Sequence, residues 1–510
     1  MNTANEFLAQ KEIFRLGDLP TEAPHPKTAQ LSDWAKGDVA RGLEVLREVD
    51  LDALNRVLGL RAELGAFFDS VAATLESGDR IFLVGCGATG RLSLSLDYLW
   101  RRKFPGSAQV SSLMAGGDVA LVHSLEGFED FPDYGARHLL ELGFGPNDLL
   151  IGSTEGGETP YVIGAVEKAA EISRRAPRFL CCNPRRLLMA KVERSRRVLA
   201  DPRIHSYCLD TGPMALTGST RMQASSVLML VIGLALDFGR DVDGAFAALA
   251  RWIDYLSRQD VAPLEPFILH EADAYQGGGH TIYASDDYAV TVITDTTERA
   301  PTFNLAPFDN PHYPTGRHSL TYLTIPAAAT SEESWRHLLA RPPKPLEWPE
   351  IHPKTTRDYL LSFDFGRKAL EIRQGLPGPL HVFEIDTAEK NLRLRFAALE
   401  ERFALPGFGG SLLDHLTLKL LLNMHSTLVM GRLGRFEGNL MTWVYPSNGK
   451  LIDRAARYTE ILLRRQGQDD FTYDEIVHAQ FACKSGLSPE ESIVHQTMAK
   501  LLGDRARLVR

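Results

Sequence analysis

Apolar positions follow two different spacings in the first half of the chain. Between residues 31 and 77 they keep a helical repeat, which predicts two helices before the first sheet. Further along, short apolar runs predict buried parallel strands at 81–84, 112–114, 148–151, 178–182 and 205–209. Amphipathic stretches between them predict helices at 92–102, 119–126, 161–174 and 187–195. This alternation predicts right-handed crossovers and a three-layer α/β/α domain around a parallel sheet of about five strands.

A second alternation follows in the other half of the chain. It predicts strands at 281–284, 290–294, 319–325, 359–363 and 381–384, helices at 333–339 and 387–402, and a long apolar helix at 412–433. Two sheets of similar size suggest a tandem duplication. The predicted fold class is therefore α/β and flavodoxin-like, with two consecutive five-stranded parallel sheets. The predicted parts are a helical N-terminal segment at 1–50, a first domain at 51–250, a second domain at 251–450 and a helical tail at 451–510.

Composition narrows the functional classes. With 510 residues, 44% of them hydrophobic, and a net charge of -9, the chain gives no electrostatic reason to expect a nucleic-acid partner. The beginning of the chain has no apolar core of signal-peptide length, and the apolar run at 227–236 is too short to span a membrane. The five cysteines lack zinc-site spacing, and His280, His415 and His425 lack metal-ligand companions. We therefore expect a cytoplasmic protein with no metal or other cofactor.

The loop after the first predicted strand is rich in glycine. Gly85-Cys-Gly-Ala-Thr-Gly-Arg91 lies between a strand and a helix, where backbone N–H groups and the helix dipole can hold a phosphate. The same spacing also fits the dinucleotide fingerprint G-x-G-x-x-G. A nucleotide would need an acidic residue after the second strand, and Asp118 comes late there, beside a helix start. Both ligands stay open on this spacing alone.

Two further polar turns follow predicted strands. After the third strand, Ser153, Thr154 and Thr159 offer hydroxyl groups to a phosphate, but Glu155 and Glu158 in the same turn would repel it unless they face water. After the fifth strand, Thr217-Gly-Ser-Thr-Arg221 combines hydroxyl groups with a cation at a helix start. The alternative for this second turn is a simple helix cap.

A pair of glutamates lies between the second and third strands. Glu126 and Glu129 are three residues apart, so a helical conformation would place them on one side. They could then accept hydrogen bonds from sugar hydroxyl groups or act as a base. The alternative is a pair of ordinary surface carboxylates.

Several segments together resemble one known family. They are Gly85-Cys-Gly-Ala-Thr-Gly-Arg91, Ala115-Gly-Gly-Asp118, Glu126-Gly-Phe-Glu-Asp130, Thr159-Pro-Tyr-Val-Ile-Gly164, Leu216-Thr-Gly-Ser-Thr-Arg-Met222, Lys419-Leu-Leu-Leu-Asn-Met-His-Ser-Thr427 and Gly438-Asn-Leu-Met441. Their order resembles sugar isomerase (SIS) proteins, in the subgroup that contains N-acetylmuramic acid 6-phosphate etherase and the glucokinase regulatory protein. An etherase chain has one SIS domain and dimerises, whereas two SIS domains in one chain resemble the regulatory protein.

The resemblance implies a sugar-phosphate site in the first domain, completed by the helix around Lys419. The residues it implies are Gly87, Ala88, Thr89, Gly90, Arg91, Glu126, Glu129, Gly156, Thr159, Ser219, Thr220, Arg221 and Lys419. Etherases use two glutamates, one to remove the proton beside the anomeric carbon and one to assist the departure of lactate. One corresponds to Glu129, and Leu99 occupies the position of the other. A leucine cannot transfer a proton.

Other departures from the family concern the phosphate. Gly156 replaces a serine, and Gln223 replaces a lysine. In the second half, the first strand is followed by Asp286 and Asp287 rather than by glycines, so we expect no anion site there.

Three functions follow from these features. The resemblance and the missing glutamate favour a sugar-phosphate sensor or regulator of carbohydrate metabolism, which could have a sugar kinase as its protein partner. The alternative is a lyase or isomerase that acts on an amino-sugar phosphate such as N-acetylmuramic acid 6-phosphate, with Glu129 as the catalytic base. A nucleotide-dependent enzyme is the third.

Overall fold

The first half of the chain folds around a parallel sheet, as its pattern predicts. The structure is a computed structural model that describes residues 3–125 and 127–508. The strands lie in the order β2-β1-β3-β4-β5, and all pairs are parallel. Their bounds are β1 Ile81–Gly85, β2 Val110–Met114, β3 Leu149–Ser153, β4 Arg178–Cys181 and β5 His205–Cys208. Every residue of β1 to β4 is buried, which explains why these strands appear in the sequence as continuous apolar runs.

Helices precede and surround this sheet. Between residues 31 and 77 the structure has three helices, α3, α4 and α5, where two were predicted. Asp38 separates α3 from α4, because its side chain accepts a hydrogen bond from the Arg41 N–H of α4. The predicted helix at 119–126 is only a short 3₁₀-helix, Asp118–Leu121. The helices are α1 Ala4–Leu8, α2 Lys11–Phe14, α3 Leu31–Gly37, α4 Val39–Leu58, α5 Arg61–Glu76, α6 Ala88–Lys103, α7 Pro132–Glu141, α8 Pro160–Ile172, α9 Arg185–Lys191, α10 Glu193–Ala200, α11 Gln223–Phe238 and α12 Val242–Arg258.

The second half also contains a five-stranded sheet, but this sheet is mixed. Its order is β10-β9-β8-β6-β7, and β6 pairs in parallel with β7 and β8, whereas β8, β9 and β10 are antiparallel. The prediction of a second all-parallel sheet is therefore wrong at one edge. The bounds are β6 His280–Ala284, β7 Thr321–Thr324, β8 Leu380–Ala388, β9 Asn391–Phe396 and β10 Leu399–Ala404.

Three predicted elements of this half have the wrong type. The predicted strands at 290–294 and 359–363 are mostly helical, since a short buried apolar run does not distinguish a strand from a helix. The predicted helix at 387–402 is a pair of hairpins. In β9, buried and half-buried residues alternate, and Glu389 and Lys390 before it have positive φ, which fits a tight hairpin turn.

The remaining helices follow the prediction closely. The long apolar helix and the helical tail are both present. None of the helices in the described part of the chain is both long and apolar enough to cross a bilayer. The bounds are α13 Glu265–Gln276, α14 Ala289–Phe303, α15 Ser331–Leu339, α16 Arg357–Leu361, α17 Lys368–Gln374, α18 Gly410–Arg432, α19 Gly449–Arg465, α20 Tyr473–Lys484 and α21 Ile493–Leu508.

Buried ion pairs join the two halves. The guanidinium group of Arg341, from the second half, contacts Asp118 at 2.6 Å and Asp97 at 3.2 Å, and all three side chains are almost fully buried. The apolar helix α18 packs against α11 of the first half and α14 of the second. The halves therefore share one core, so a side chain of the second half can reach the first sheet.

Candidate functional site

A cavity of about 130 Å³ lies at the carboxyl edge of the first sheet. This is the edge where open parallel sheets bind ligands. Its walls come from the loops after β1 and β3, from the start of α11, and from three elements distant in sequence. The lining residues are Glu22, Cys86, Gly87, Ala88, Glu129, Glu155, Gly156, Glu158, Thr159, Thr220, Glu298, Lys450 and Arg454.

The glycine-rich loop after β1 supplies backbone rather than side chains to the cavity. Gly87 has φ 54°, a conformation that favours glycine, and α6 begins at the next residue. The Thr89 hydroxyl bonds the N–H and the carbonyl of Cys86 within the loop, and Gly90 packs against Met114. Gly87 and Ala88 therefore line the cavity, whereas Thr89 and Gly90 shape the loop.

The turn after β3 brings two carboxyl groups to the cavity wall. Both Glu155 and Glu158 are almost fully buried, so the interpretation that they face water is wrong. Burial by itself would raise the pKa of Glu158, but Lys450 and Arg194 outweigh it and lower that pKa to about 2. No cation within the described part of the chain forms an ion pair with Glu155, and burial raises its pKa to about 7 although the charge of Lys450 opposes the rise.

Glu129 and Lys450 form an ion pair at the cavity, with Nζ 2.9 Å from Oε1. Lys450 also lies 3.3 Å from Glu158 Oε1. The backbone carbonyl of Glu129 accepts a hydrogen bond from the Tyr161 N–H at the start of α8, which anchors the turn. Its predicted partner, Glu126, lies outside the described residues.

The turn before α11 divides its side chains between two environments. Thr220 lines the cavity, and the buried hydroxyl of Ser219 has no hydrogen-bond partner among the described residues. The Arg221 guanidinium instead contacts Asp295 of α14 at 3.1 Å. The Arg221 side chain is therefore turned away from the cavity and joins the two halves.

Lys419 lies beside the same turn, in α18, rather than in the cavity wall. Its ammonium group donates to the Arg221 carbonyl and to the Ser226 hydroxyl, both at 2.8 Å. Burial lowers its pKa to about 8. The structure thus places Lys419 behind the turn that it was predicted to complete.

Seven lining residues were absent from the predicted site residues. Three of them, Cys86, Glu155 and Glu158, lie in loops that the sequence had already singled out. The other four come from distant parts of the chain: Glu22 precedes α3, Glu298 lies in α14, and Lys450 and Arg454 lie in α19. Glu22 pairs with Arg454 at 2.6 Å. No local motif marks any of these four in the sequence.

Glu298 has a positional relation to Leu99 that could have identified it. Leu99 follows the last residue of β1, Gly85, by 14 positions, and Glu298 follows the last residue of β6, Ala284, by the same 14 positions. Leu99 is buried in α6 and does not line the cavity, whereas Glu298 does. The carboxylate of Glu298 contacts the buried Arg91 guanidinium at 2.8 Å. The carboxylate missing from α6 therefore has a counterpart in α14.

The structure does not bring together the glycine-rich loop and the acidic residue that a nucleotide site would need. Asp118, the acidic residue that a ribose would need, is buried and bound by Arg341. It is not among the residues that line the cavity. The glycine-rich loop is thus left without the acidic partner of a dinucleotide site.

Comparisons with known proteins agree with the resemblance to SIS proteins. Residues 64–170 match the family model described as the glucokinase regulatory protein N-terminal SIS domain. N-acetylmuramic acid 6-phosphate etherase of Erwinia tasmaniensis is 33% identical over 224 residues, which cover 43% of this chain and 67% of that protein. The enzyme of the same name from Rubrobacter xylanophilus is 31% identical over 222 residues, covering 43% and 68%.

A solved structure also resembles the chain at low identity. Tagatose-6-phosphate ketose/aldose isomerase from Escherichia coli is 12% identical, with a TM-score of 0.43, and the match covers 82% of this chain and 97% of that one. The etherases are the relatives with higher identity, and the chain spans about two thirds of their length. By sequence, the chain belongs to the SIS-domain family that includes the N-acetylmuramic acid 6-phosphate etherases.

Proposed function

We propose that the protein binds a phosphorylated amino sugar in the cavity at the edge of the first sheet and acts on it as a lyase of the etherase type. The observation that carries this proposal is the meeting of Glu129 and Glu298 in one cavity beside the start of α6. These carboxylates come from different halves of the chain. Glu129 serves as the catalytic base, and Glu298 places a second carboxylate beside it, at the position of α14 that corresponds to Leu99 of α6.

The phosphate belongs at the N-terminus of α6, where the backbone of Gly87 and Ala88 lines the cavity. Thr159 and Thr220 offer hydroxyl groups nearby. The carboxylates of the cavity do not rule out an anion there, because most of them are already paired with cations. The pairs are Glu22 with Arg454, Glu129 and Glu158 with Lys450, and Glu298 with Arg91.

The test combines binding with turnover. Purified protein is titrated by calorimetry with N-acetylmuramic acid 6-phosphate and with glucosamine 6-phosphate, and lactate release from the first compound is followed enzymatically. We expect Glu129→Gln to keep the affinity within a few-fold and to lower the rate by about 100-fold or more. Absence of binding at millimolar ligand would contradict the proposal.

A sugar-phosphate sensor is the second candidate, and two observations favour it. The chain has two halves, and part of the first half matches the regulatory-protein SIS model. In addition, Leu99 occupies the position on α6 at which the resemblance to the etherases places an acidic residue. Binding of a sugar phosphate without lactate release or isomerisation, together with ligand-dependent binding of a sugar kinase, would favour this function over the lyase.

A further inference from the structure

One carboxyl group of the cavity has no ion-pair partner among residues 3–125 and 127–508. Glu155 lies in the turn after β3 and is 8% exposed, and its Oε1 atom is buried with no hydrogen-bond partner in that part of the chain. Its backbone carbonyl accepts the Cys182 N–H at 3.0 Å, so the turn is fixed while Oε1 stays unsatisfied. A buried polar atom without a partner costs free energy, so its presence in a ligand cavity points to a partner that arrives with the ligand.

The other carboxylates are held by cations. Glu129 lies 2.9 Å from Lys450, and Glu298 lies 2.8 Å from Arg91. These ion pairs fix both carboxylates in position, whereas the described part of the chain offers Glu155 no such contact.

We propose that Glu155 is the proton donor of the site and that its carboxyl group protonates the oxygen that leaves the sugar. This inference rests on the proposed lyase function. It assigns to Glu155 the proton transfer to the leaving oxygen, separate from the base role of Glu129, and it leaves Glu298 to hold Arg91 near the start of α6. It also gives a role to the buried carboxyl group in the turn after β3.

The proton transfers balance as follows. The Glu129 carboxylate removes the proton from C2, beside the carbonyl of the open-chain sugar. The C3–O bond breaks, its electron pair goes to the ether oxygen, and Glu155 gives its proton to that oxygen, which leaves as the hydroxyl group of lactate. Water then adds to the C2–C3 double bond. In that step Glu155 takes a proton from the water and Glu129 returns a proton to C2.

The surroundings of Glu155 let its carboxyl group keep a proton up to about pH 7. Burial is the main cause of the rise of its pKa to about 7; a hydrogen bond with its own backbone and the charge of Lys450 oppose the rise, and Glu298 and Glu129 add to it. A carboxyl group that still holds its proton near neutral pH is what a proton donor needs. The titratable and charged groups that interact with Glu155 are Glu129, Glu298 of α14, Lys450 of α19, Cys86 after β1 and Cys182 after β4.

The experiment compares the pH dependence of lactate release from N-acetylmuramic acid 6-phosphate in the full chain and in Glu155→Gln. We expect the wild-type kcat to fall as pH rises above about 7, since the donor loses its proton. In the variant, kcat should be lower by about 100-fold or more, with KM changed only a few-fold and without the decline above pH 7. Glu155→Asp, which keeps an acidic group, should retain part of the activity and the decline.

Two control variants separate the outcomes. Glu171→Gln, on the exposed surface of α8, should leave the profile unchanged, and Glu298→Gln should lower kcat but keep the decline above pH 7. A Glu155→Gln variant with wild-type kcat, or a decline that disappears in Glu298→Gln instead, would overturn the assignment of Glu155 alone. A wild-type protein that releases no lactate would overturn the lyase function and this inference with it. Calorimetric binding of the same sugar phosphate shows that each variant is folded.

Discussion

The two sheets present different surfaces at corresponding edges. β1 and β6 each have five residues and each leads into a helix, α6 or α14. After β1, Gly87 with positive φ exposes backbone to a cavity. After β6, the Ser285 hydroxyl donates to the Ile385 carbonyl and accepts the Tyr288 N–H, so side chains of the loop bind their own neighbours. Only the first of these two edges has the form of an anion site.

The helices α6 and α14 also differ, but here the second half carries the polar group. At the position 14 residues after the strand, α6 has the buried Leu99, whereas α14 has Glu298 in the wall of the first cavity. The first half therefore contributes the glycine-rich loop whose backbone lines the cavity, and the second half contributes the carboxylate of Glu298. The two halves can divide a site in this way only if they stay in a fixed arrangement, which makes the interface between them part of the site.

The largest expected effect comes from breaking that interface. Arg341→Met leaves Asp97 and Asp118 buried without their shared cation, and we expect the free energy of unfolding to fall by about 3–5 kcal/mol. Urea denaturation measures this loss. Arg258→Met, which removes an exposed ion pair with Asp254 within α12, is the control and should cost less than about 1 kcal/mol. An equal effect of the two variants would contradict a structural role for the buried cluster.

The next effect concerns the corresponding ends of β1 and β6. A Cβ atom on Gly85 would lie 2.2 Å from the backbone carbon of Thr89, whereas Ala284 already carries a Cβ atom. We expect Gly85→Ala to cost about 3 kcal/mol, because a clash with backbone cannot be relieved by rotating a side chain. The matched variant Ala284→Gly should cost about 1 kcal/mol or less. Similar unfolding free energies for both variants would show that the two loops are equivalent.

The sequence predicts much of this architecture, because continuous apolar strands and glycine-rich turns are local signals. The first sheet and the loop at Gly87 follow from such signals. The type of the run at 290–294 does not, since its β-branched residues are packed in a buried helix and tertiary contacts override their propensity. At the site, Glu22 and Lys450 could not be identified, because only packing between distant segments brings them to the cavity. For Glu298 the sequence offers only its distance from the end of β6. Arg221 and Lys419 were placed in the site because the sequence does not give the direction of a side chain.

A smaller expected effect is the pH dependence that the buried carboxyl group of Glu155 gives to the free energy of unfolding. The pKa of Glu155 is raised in the folded protein from 4.5 to about 7, so between these values the folded state binds more protons than the unfolded state. The free energy of unfolding should therefore fall with rising pH through this window. Between pH 5 and pH 8 we expect the free energy of unfolding of the wild type to fall by about 2 kcal/mol more than that of Glu155→Gln. Parallel stability curves for the variant and the wild type, measured by urea denaturation, would contradict the raised pKa.

The smallest expected effect is at the edge of the second sheet. Asp287 is exposed beside the end of β6, so Asp287→Asn should change the free energy of unfolding by less than about 0.5 kcal/mol. Because this loop binds its own neighbours and presents no backbone cradle, the variant should also leave the calorimetric affinity for N-acetylmuramic acid 6-phosphate unchanged. The matched variant Gly87→Val, at the corresponding edge of the first sheet, should weaken that affinity by about tenfold or more, because φ 54° is strained for a β-branched residue. A weaker affinity in Asp287→Asn than in Gly87→Val would move the ligand to the second edge and reverse the comparison.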